Sequence, residues 1–206
     1  APRPFSIAIA YSRLPLPMTR ADQMTVAHLI SFFAARGHNV DFYALDNGEE
    51  ISPAHRQWLE DVCRSVHIFP HGPVRRLMGV MRGLLRGWPL QVGLFSNAAQ
   101  TRAVREGLAD VDIGYSYYIR SAETMRFLGR SRARISGPVT FLAMQLSQAL
   151  NTRRMAEHFR NLKEKLLYSV ETRLVRNYEP RVWSDFTRTV LIGQQDVDEI
   201  AAACRD

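Results

Sequence analysis

The chain has 206 residues, 46% of them hydrophobic, with 27 Lys+Arg against 20 Asp+Glu for a net charge of +7 at pH 7. That length is enough for one sizeable core, and the hydrophobic share is too high for a disordered chain. Two distant cysteines, Cys63 and Cys204, form neither a disulfide framework nor a metal-ligand spacing, which points to a reducing compartment.

Residues 5–11 (FSIAIAY) read as a short apolar strand of the buried parallel type, followed by a proline-rich loop over 13–23 (RLPLPMTRADQ). Helical spacing over 24–36 puts Met24, Ala27, Leu29, Ile30 and Phe33 on one face, and Gly37 is placed to end that helix. Residues 38–45 (HNVDFYAL) return as a second strand, completing a βαβ unit. Ser52 and Pro53 open a helix over 53–64, and a brief strand covers 66–69. Helical patterns then cover 74–88 and 98–109, a strand 111–119 (VDIGYSYYI), a helix 122–128 and a strand 138–144 (PVTFLAM). A long polar-faced helical region over 147–183 is expected to break near Pro180, before a last strand at 189–192 and a helix at 196–204. Six strands alternating with helices predict an α/β fold. The expected form is one Rossmann-like, doubly wound, mostly parallel sheet with helices on both faces, spanning residues 1–206 as a single domain. The opening apolar run is too short for a secretory signal and no stretch is long enough to cross a membrane, so the chain is expected to be cytoplasmic.

In such sheets ligands bind beyond the carboxyl ends of the strands, where the strand order reverses. The loop after the first strand therefore offers Arg13, Thr19, Arg20, Asp22 and Gln23 near a helix N-terminus, suited to a phosphate or to sugar hydroxyls. The competing reading is that Asp22 only caps the helix and the prolines stiffen a turn. No G-x-G-x-x-G is present, which excludes a standard dinucleotide cradle. Tyr115, Tyr117, Tyr118 and Arg120 crowd one strand end; they make either an aromatic wall for a sugar or phosphate, or ordinary packing under helices. Gln145, Ser147 and Gln148 follow the 138–144 strand as hydrogen-bonding groups without a base. The six histidines are scattered, with His67 and His71 nearest the basic segment, and no Ser-His-Asp, Cys-His or metal set emerges.

Charge is concentrated in one place. Residues 70–105 contain no acidic side chain but include Arg75, Arg76, Arg82, Arg86, Arg102 and Arg105. On a helix over 74–88, Arg75, Arg76, Arg82 and Arg86 share one side with Gly79, Gly83 and Gly87. Val74, Leu77, Met78, Val80, Met81, Leu84, Leu85 and Trp88 fill the other side. A basic face, a bulky apolar face and a terminal Trp make an interfacial helix docking on anionic lipid; the alternative is an amphipathic helix covering the sheet with its arginines solvated. Nucleic acid is not expected, because the aromatics do not interleave with the arginines.

The order of FSIAIAYSRLPLPMTRADQ, TVAHLISFFAARGHNVDFYAL and GLLRGWPLQVGLFSN, with its R-x-P-x-P loop, resembles the N-terminal half of GT-B glycosyltransferases of family 4. The exopolysaccharide-associated sugar transferases are the nearest type, and the tail LLYSVETRLVRNYEPRVWSDFTRTVLIGQQDVDEI, with its Y-E-x-x-V, is similar too. The resemblance implies retaining transfer of a sugar from a nucleotide-sugar to a lipid-linked or polysaccharide acceptor, without a metal. It implies an acceptor-binding domain that holds no cofactor itself, the nucleotide-sugar belonging to a C-terminal domain missing from this chain, so that this part alone is inactive. Arg13, Thr19, Arg20 and Asp22 would then line the interdomain cleft and Tyr117, Arg120 and Gln145 would contact the acceptor. Arg75, Arg76, Arg82, Arg86 and Trp88 would face anionic lipid at the inner face of the cell membrane. Where such enzymes often carry His or Asp after the 138–144 strand, this chain has Met144 and Gln145, and no catalytic residue is assigned; the alternative is a non-catalytic α/β binding module docking to a membrane surface or a protein partner.

Overall fold

The computed structural model describes residues 3–49, 51–129, 137–158 and 161–205. Its chain order is β1 (Ser6–Tyr11), α1 (Ala21–Ala35), β2 (Asn39–Asp46), α2 (Pro53–Val62), β3 (Ser65–Pro70), α3 (Pro73–Leu85), α4 (Leu90–Leu94) and α5 (Ala98–Gly107). There follow β4 (Ile113–Tyr117), α6 (Ala122–Gly129), β5 (Val139–Gln145), α7 (Gln148–His158), α8 (Leu162–Asp185), β6 (Arg188–Leu191) and α9 (Gln194–Ala203). The six strands form one all-parallel sheet in the order β3-β2-β1-β4-β5-β6, the Rossmann-like doubly wound arrangement. Order reverses between β1 and β4, so the crevice for a ligand lies above the carboxyl ends of those two strands.

Strand periodicity divides the core between two faces. Ile7, Ile9 and Tyr11 of β1 pack with Val26 and Ile30 of α1 and Leu59 of α2 on one side. Ala8 and Ala10 pack with Val92, Val104, Met125, Tyr178 and Val182, from α4, α5, α6 and α8, on the other. Ser52 caps α2 by accepting a hydrogen bond from the His55 N–H at 3.2 Å, with Pro53 in the first turn as expected.

Four local expectations are corrected. Helix α1 starts at Ala21, three residues early, because Gln23 is drawn in; its amide donates to the Leu14 carbonyl at 3.0 Å and folds the proline loop back on the helix. The buried stripe is therefore Gln23, Val26, Ala27 and Ile30, and Met24 faces outward. The helix expected over 74–88 ends at Leu85, and a turn through Gly87 (φ +64°) carries Trp88 into the core, where α4 follows. The 147–183 region is two helices, α7 and α8, with residues 159 and 160 outside the described set.

The expected break at Pro180 is absent, and α8 runs straight through it. Proline removes one hydrogen bond and crowds the preceding turn. Val175, Tyr178 and Val182 are wholly buried on either side of it, and Tyr178 donates to the Glu123 carboxylate at 2.7 Å, so packing holds the helix across the gap.

Candidate functional site at the carboxyl edge of the sheet

The sequence places Arg13 two residues after β1 and Arg120 three residues after β4, so the parallel pairing of these two strands brings both guanidinium groups to the switch point. Between them lies Phe95, from the turn after α4. Arg13 sits 5.1 Å and Arg120 4.9 Å from its ring centroid, so one aromatic face system supports two cations. His71 fixes Phe95 from behind: its ring stacks on the phenyl at 6.4 Å, and its Nε2–H donates to the Leu94 carbonyl at 2.7 Å. Burial holds the His71 imidazole below its ordinary pKa, and Arg76 and Arg75 add to that, which favours the neutral ring.

Arg120 is held by a row of amides. Its Nε donates to Gln91 Oε1 at 3.4 Å, the Gln91 amide donates to Gln148, and the Gln148 amide donates to the Tyr118 hydroxyl. Tyr118 also lies under the Arg120 guanidinium at 4.9 Å. Glu171 accepts the Leu90 and Gln91 N–H groups at 2.6 and 3.2 Å, anchoring α4 and with it Gln91. Desolvation lowers the Arg120 pKa, and the like charge of Arg13 adds to that. The Arg13 Nε is buried without a protein partner, and its nearest carboxylate oxygen, on Asp22, is 3.8 Å away. Two crowded, partly desolvated guanidinium groups, one with an orphan donor, make a site that gains by accepting an anion or a set of hydroxyl oxygens.

Backbone strain marks the same crest. Tyr118 (φ +68°) and Gln145 (φ +72°) are the two non-glycine residues with positive φ among those described; Tyr118 follows β4 and Gln145 closes the neighbouring β5. Such conformations cost about 1–3 kcal/mol each and persist where surrounding contacts over-determine them. Tyr118 N–H donates to the Ala143 carbonyl at 2.9 Å, and Ile192 N–H donates to the Gln145 carbonyl at 2.9 Å; both hold the turned backbone.

No family model, curated protein or solved structure matches this sequence.

Of the residues expected in the cleft, Arg13, Asp22, Arg120 and Gln145 share this edge. Asp22 is not the cap of α1; it stands in the first turn and accepts the Tyr11 hydroxyl at 2.9 Å. Thr19 and Arg20 are exposed at the α1 entrance, where Thr19 donates to Gln23 at 3.0 Å and Arg20 reaches Asp22 at 4.0 Å. Tyr117 is corrected: it is buried edge-on against Tyr11, on the α1 side of the sheet, and Tyr118 is the tyrosine that reaches the arginines. Phe95 and Gln91 carry no sequence signal as ligand residues, whereas Gln148 stands among the hydrogen-bonding groups expected after the 138–144 strand. Phe95 sits in the quoted GLFSN stretch, but a five-residue helix without periodicity gave no signal that this ring returns to the switch point.

The basic helix α3 is oriented opposite to a covering helix. Its glycine side faces inward: a Cβ on Gly83 would stand 3.0 Å from the Gly93 Cα, and one on Gly93 would stand 3.0 Å from the Gly79 carbonyl oxygen. Val74, Leu77, Met78, Met81, Leu84 and Leu85 are left facing out, with Leu85 87% exposed. Among the arginines expected at lipid, Arg75 and Arg86 are exposed and Arg82 is half-buried. Arg76 is corrected: it turns inward and donates to the carbonyls of His71 and Asn47 at 3.0 and 2.6 Å. Trp88 is corrected as well, since only 8% of it is exposed and it packs in the core with Val92. Among the described residues no helix is long and apolar enough to cross a membrane, and no group of three or more His, Cys, Asp or Glu is arranged to hold a metal.

Proposed function

We propose that this chain is the acceptor-binding half of a GT-B, family-4-like retaining glycosyltransferase that works at an anionic membrane surface. In this reading the sugar comes from a nucleotide-sugar and passes to a lipid-linked or polysaccharide acceptor. The observation that carries it is the switch-point crevice of Arg13, Phe95 and Arg120, joined through adjacent residues to an outward apolar helix. Phe95 lies under the two arginines, while Ser96 accepts a hydrogen bond from Arg82 of α3 at 2.7 Å. An acceptor whose lipid lies in a membrane needs that pairing of a polar crevice with a lipid-facing surface. The side chains at the crevice orient and neutralise; Arg13, Arg120 and Gln145 offer no base, and the Asp22 carboxylate is taken up by the Tyr11 hydroxyl and Arg13, so chemistry in this reading belongs to the donor-binding half.

Transfer itself tests the proposal. The full-length protein, given labelled nucleotide-sugars and lipid-linked acceptors, is expected to transfer label. Arg120→Gln is expected to raise the acceptor KM about tenfold with donor KM unchanged, a loss of about 1.4 kcal/mol of acceptor binding. Failure to turn over any nucleotide-sugar while folded overturns it.

One observation favours a second reading, a non-catalytic module docked on a membrane: the strongest surface feature is α3, not the crevice. Each basic residue near an anionic leaflet contributes about 1 kcal/mol, and each buried large apolar side chain about 1.5–3 kcal/mol. Leu77→Gln with Met81→Gln is therefore expected to weaken sedimentation with phosphatidylglycerol vesicles at least tenfold. Both side chains are more than half exposed, so the unfolding midpoint is expected to stay at the wild-type value. Vesicle binding without sugar transfer selects this second reading.

A further inference from the structure

A cavity of about 320 Å³ opens between α3 and α5, and four arginines line it: Arg82 and Arg86 from one side, Arg102 and Arg105 from the other. Its remaining polar groups include the hydroxyls of Ser96 and Thr101 and the carboxylate of Glu123. Glu123 is engaged from behind. It accepts from Arg126 Nη1 at 2.8 Å and from the Tyr178 hydroxyl at 2.7 Å, groups outside the cavity lining, and its carboxylate also supports the charge of Arg82. Among the described residues no carboxylate forms an ion pair with Arg82, Arg86 or Arg102. The Arg82 Nε is buried with no hydrogen-bond partner, although its Nη2 donates to Ser96. The α5 N-terminus is already satisfied, because the Asn97 side chain accepts from Ala99 and Gln100. The site is thus made of guanidinium groups rather than of a helix end.

We propose that this cavity binds a phosphoryl group of at least two negative charges, a phosphomonoester or a diphosphate, clasped by Arg82, Arg86, Arg102 and Arg105. Guanidinium forks match phosphate oxygens two at a time, and arginines supplied to one cavity by two elements favour a group that presents oxygens in several directions over a flat carboxylate. The crowding of like charge points the same way. Burial and the neighbouring Arg86 both lower the Arg82 pKa, the Glu123 carboxylate offsets them only in part, and an anion between the two walls relieves the remaining repulsion. A second groove, lined by Arg75, Met78, Arg82 and Arg102, adjoins this cavity through Arg82 and Arg102 and runs beneath the outward face of α3. The group has two sources with one chemistry: a phosphorylated lipid headgroup entering from the α3 side, or a soluble phosphate compound.

The inference stands apart from sugar transfer and from lipid docking by the apolar face. Calorimetric titration of the wild-type protein with inorganic pyrophosphate is expected to give saturable one-to-one binding. Arg102→Gln is expected to weaken it at least tenfold; the side chain is exposed on α5, so folding is checked by circular dichroism and is expected to be unchanged. Arg82→Gln is expected to weaken it further. Leu77→Gln with Met81→Gln is expected to leave pyrophosphate affinity unaltered, even where vesicle binding is lost. Vesicles containing phosphatidic acid, a phosphomonoester, are then compared with vesicles containing phosphatidylglycerol, a phosphodiester. Tighter binding to phosphatidic acid that Arg102→Gln abolishes assigns the lipid source, and equal binding to both lipids with pyrophosphate affinity retained assigns the soluble one. Pyrophosphate binding that is absent, or that is the same in wild type, Arg102→Gln and Arg82→Gln, overturns the proposal.

Discussion

Gly79→Ala is expected to lower the free energy of unfolding by about 2 kcal/mol, although alanine is the better helix former. Two effects oppose each other at this position. In an exposed helix interior the substitution gains about 1 kcal/mol from propensity. Here a methyl group on Gly79 would overlap the Gly93 carbonyl oxygen and stand 3.0 Å from the Ser96 carbonyl oxygen, and both are backbone atoms of the tightly turned α4 segment. Backbone cannot swing aside as a flexible side chain can, so α3 must lift away from α4. Overpacking of that kind typically costs about 1–3 kcal/mol, and the rigid partner puts this case at the upper end, outweighing the propensity gain. Gly83→Ala, whose nearest contact is 3.0 Å to Gly93 Cα, is expected to cost less. Urea midpoints of the two variants and the wild type measure the difference. A Gly79→Ala protein more stable than wild type would mean that α3 does not pack through its glycines, and the outward apolar face would then be wrong. The contact also reaches the arginine cavity, since Ser96, whose carbonyl oxygen a Gly79 methyl would meet, lines it and accepts from Arg82; the same variant is expected to weaken pyrophosphate binding.

The sheet was legible because its signals are local. Runs such as FSIAIAY and PVTFLAM are short, apolar and bounded by turn residues, and the alternation with helices fixes parallel pairing almost without choice. Helix α3 shows where local reading stops. Its two faces were identified correctly from the 100° spacing, yet the ordinary rule that the apolar face goes inward selects the wrong one. What turns it is a match between Gly79, Gly83 and Gly93, three small residues on two helices, which no single-helix pattern contains. Trp88 was misplaced for a related reason: helical periodicity carries it past Leu85, and the left-handed turn at Gly87 ends that register. Arg13 and Arg120 were legible as loop residues after strands, whereas Phe95 between them depends on a short helix held by Glu171 of α8, 80 positions away from Gln91. The Y-E-x-x-V segment was read for its family likeness alone. In the fold it is a brace, with Tyr178 on Glu123 and Glu179 on the start of α7.

That brace gives the molecule a pH dependence of unusual sign. Glu179 is 2% exposed and accepts hydrogen bonds from Ser147 Oγ, Gln148 N–H and Ala149 N–H at 3.0, 2.5 and 3.4 Å. Those donors and the helix end favour the carboxylate, but desolvation outweighs them and raises the pKa from an ordinary 4.5 to about 7, with Glu199 adding to the rise. A carboxyl whose pKa is raised by folding binds its proton more tightly in the native state. Its contribution is therefore complete below pH 4.5 and is lost as pH rises to about 7, opposite to the usual salt-bridged carboxylate. The interval corresponds to about 3 kcal/mol at 1.4 kcal/mol per pH unit. Glu171, also raised by burial, pushes in the same direction, while His71, lowered by burial, loses stability as pH falls and so opposes both. Subtracting a Glu179→Gln curve from the wild-type curve cancels those two, because the variant keeps them and removes only the one titration. The wild-type advantage over Glu179→Gln is expected to shrink by about 2–3 kcal/mol between pH 5 and pH 8, read from denaturant midpoints. Parallel curves would show that Glu179 titrates normally and that the α7 start is open to water. The consequence reaches the crevice through one residue: Gln148, whose N–H Glu179 holds, is the same residue whose amide holds Tyr118 under Arg120. Because the Gln148 N–H favours the ionised carboxylate, ionising Glu179 tightens its hold on the residue that supports Tyr118, so ligand affinity of the folded wild-type protein at the switch point is expected to stay level while stability falls over the same pH interval.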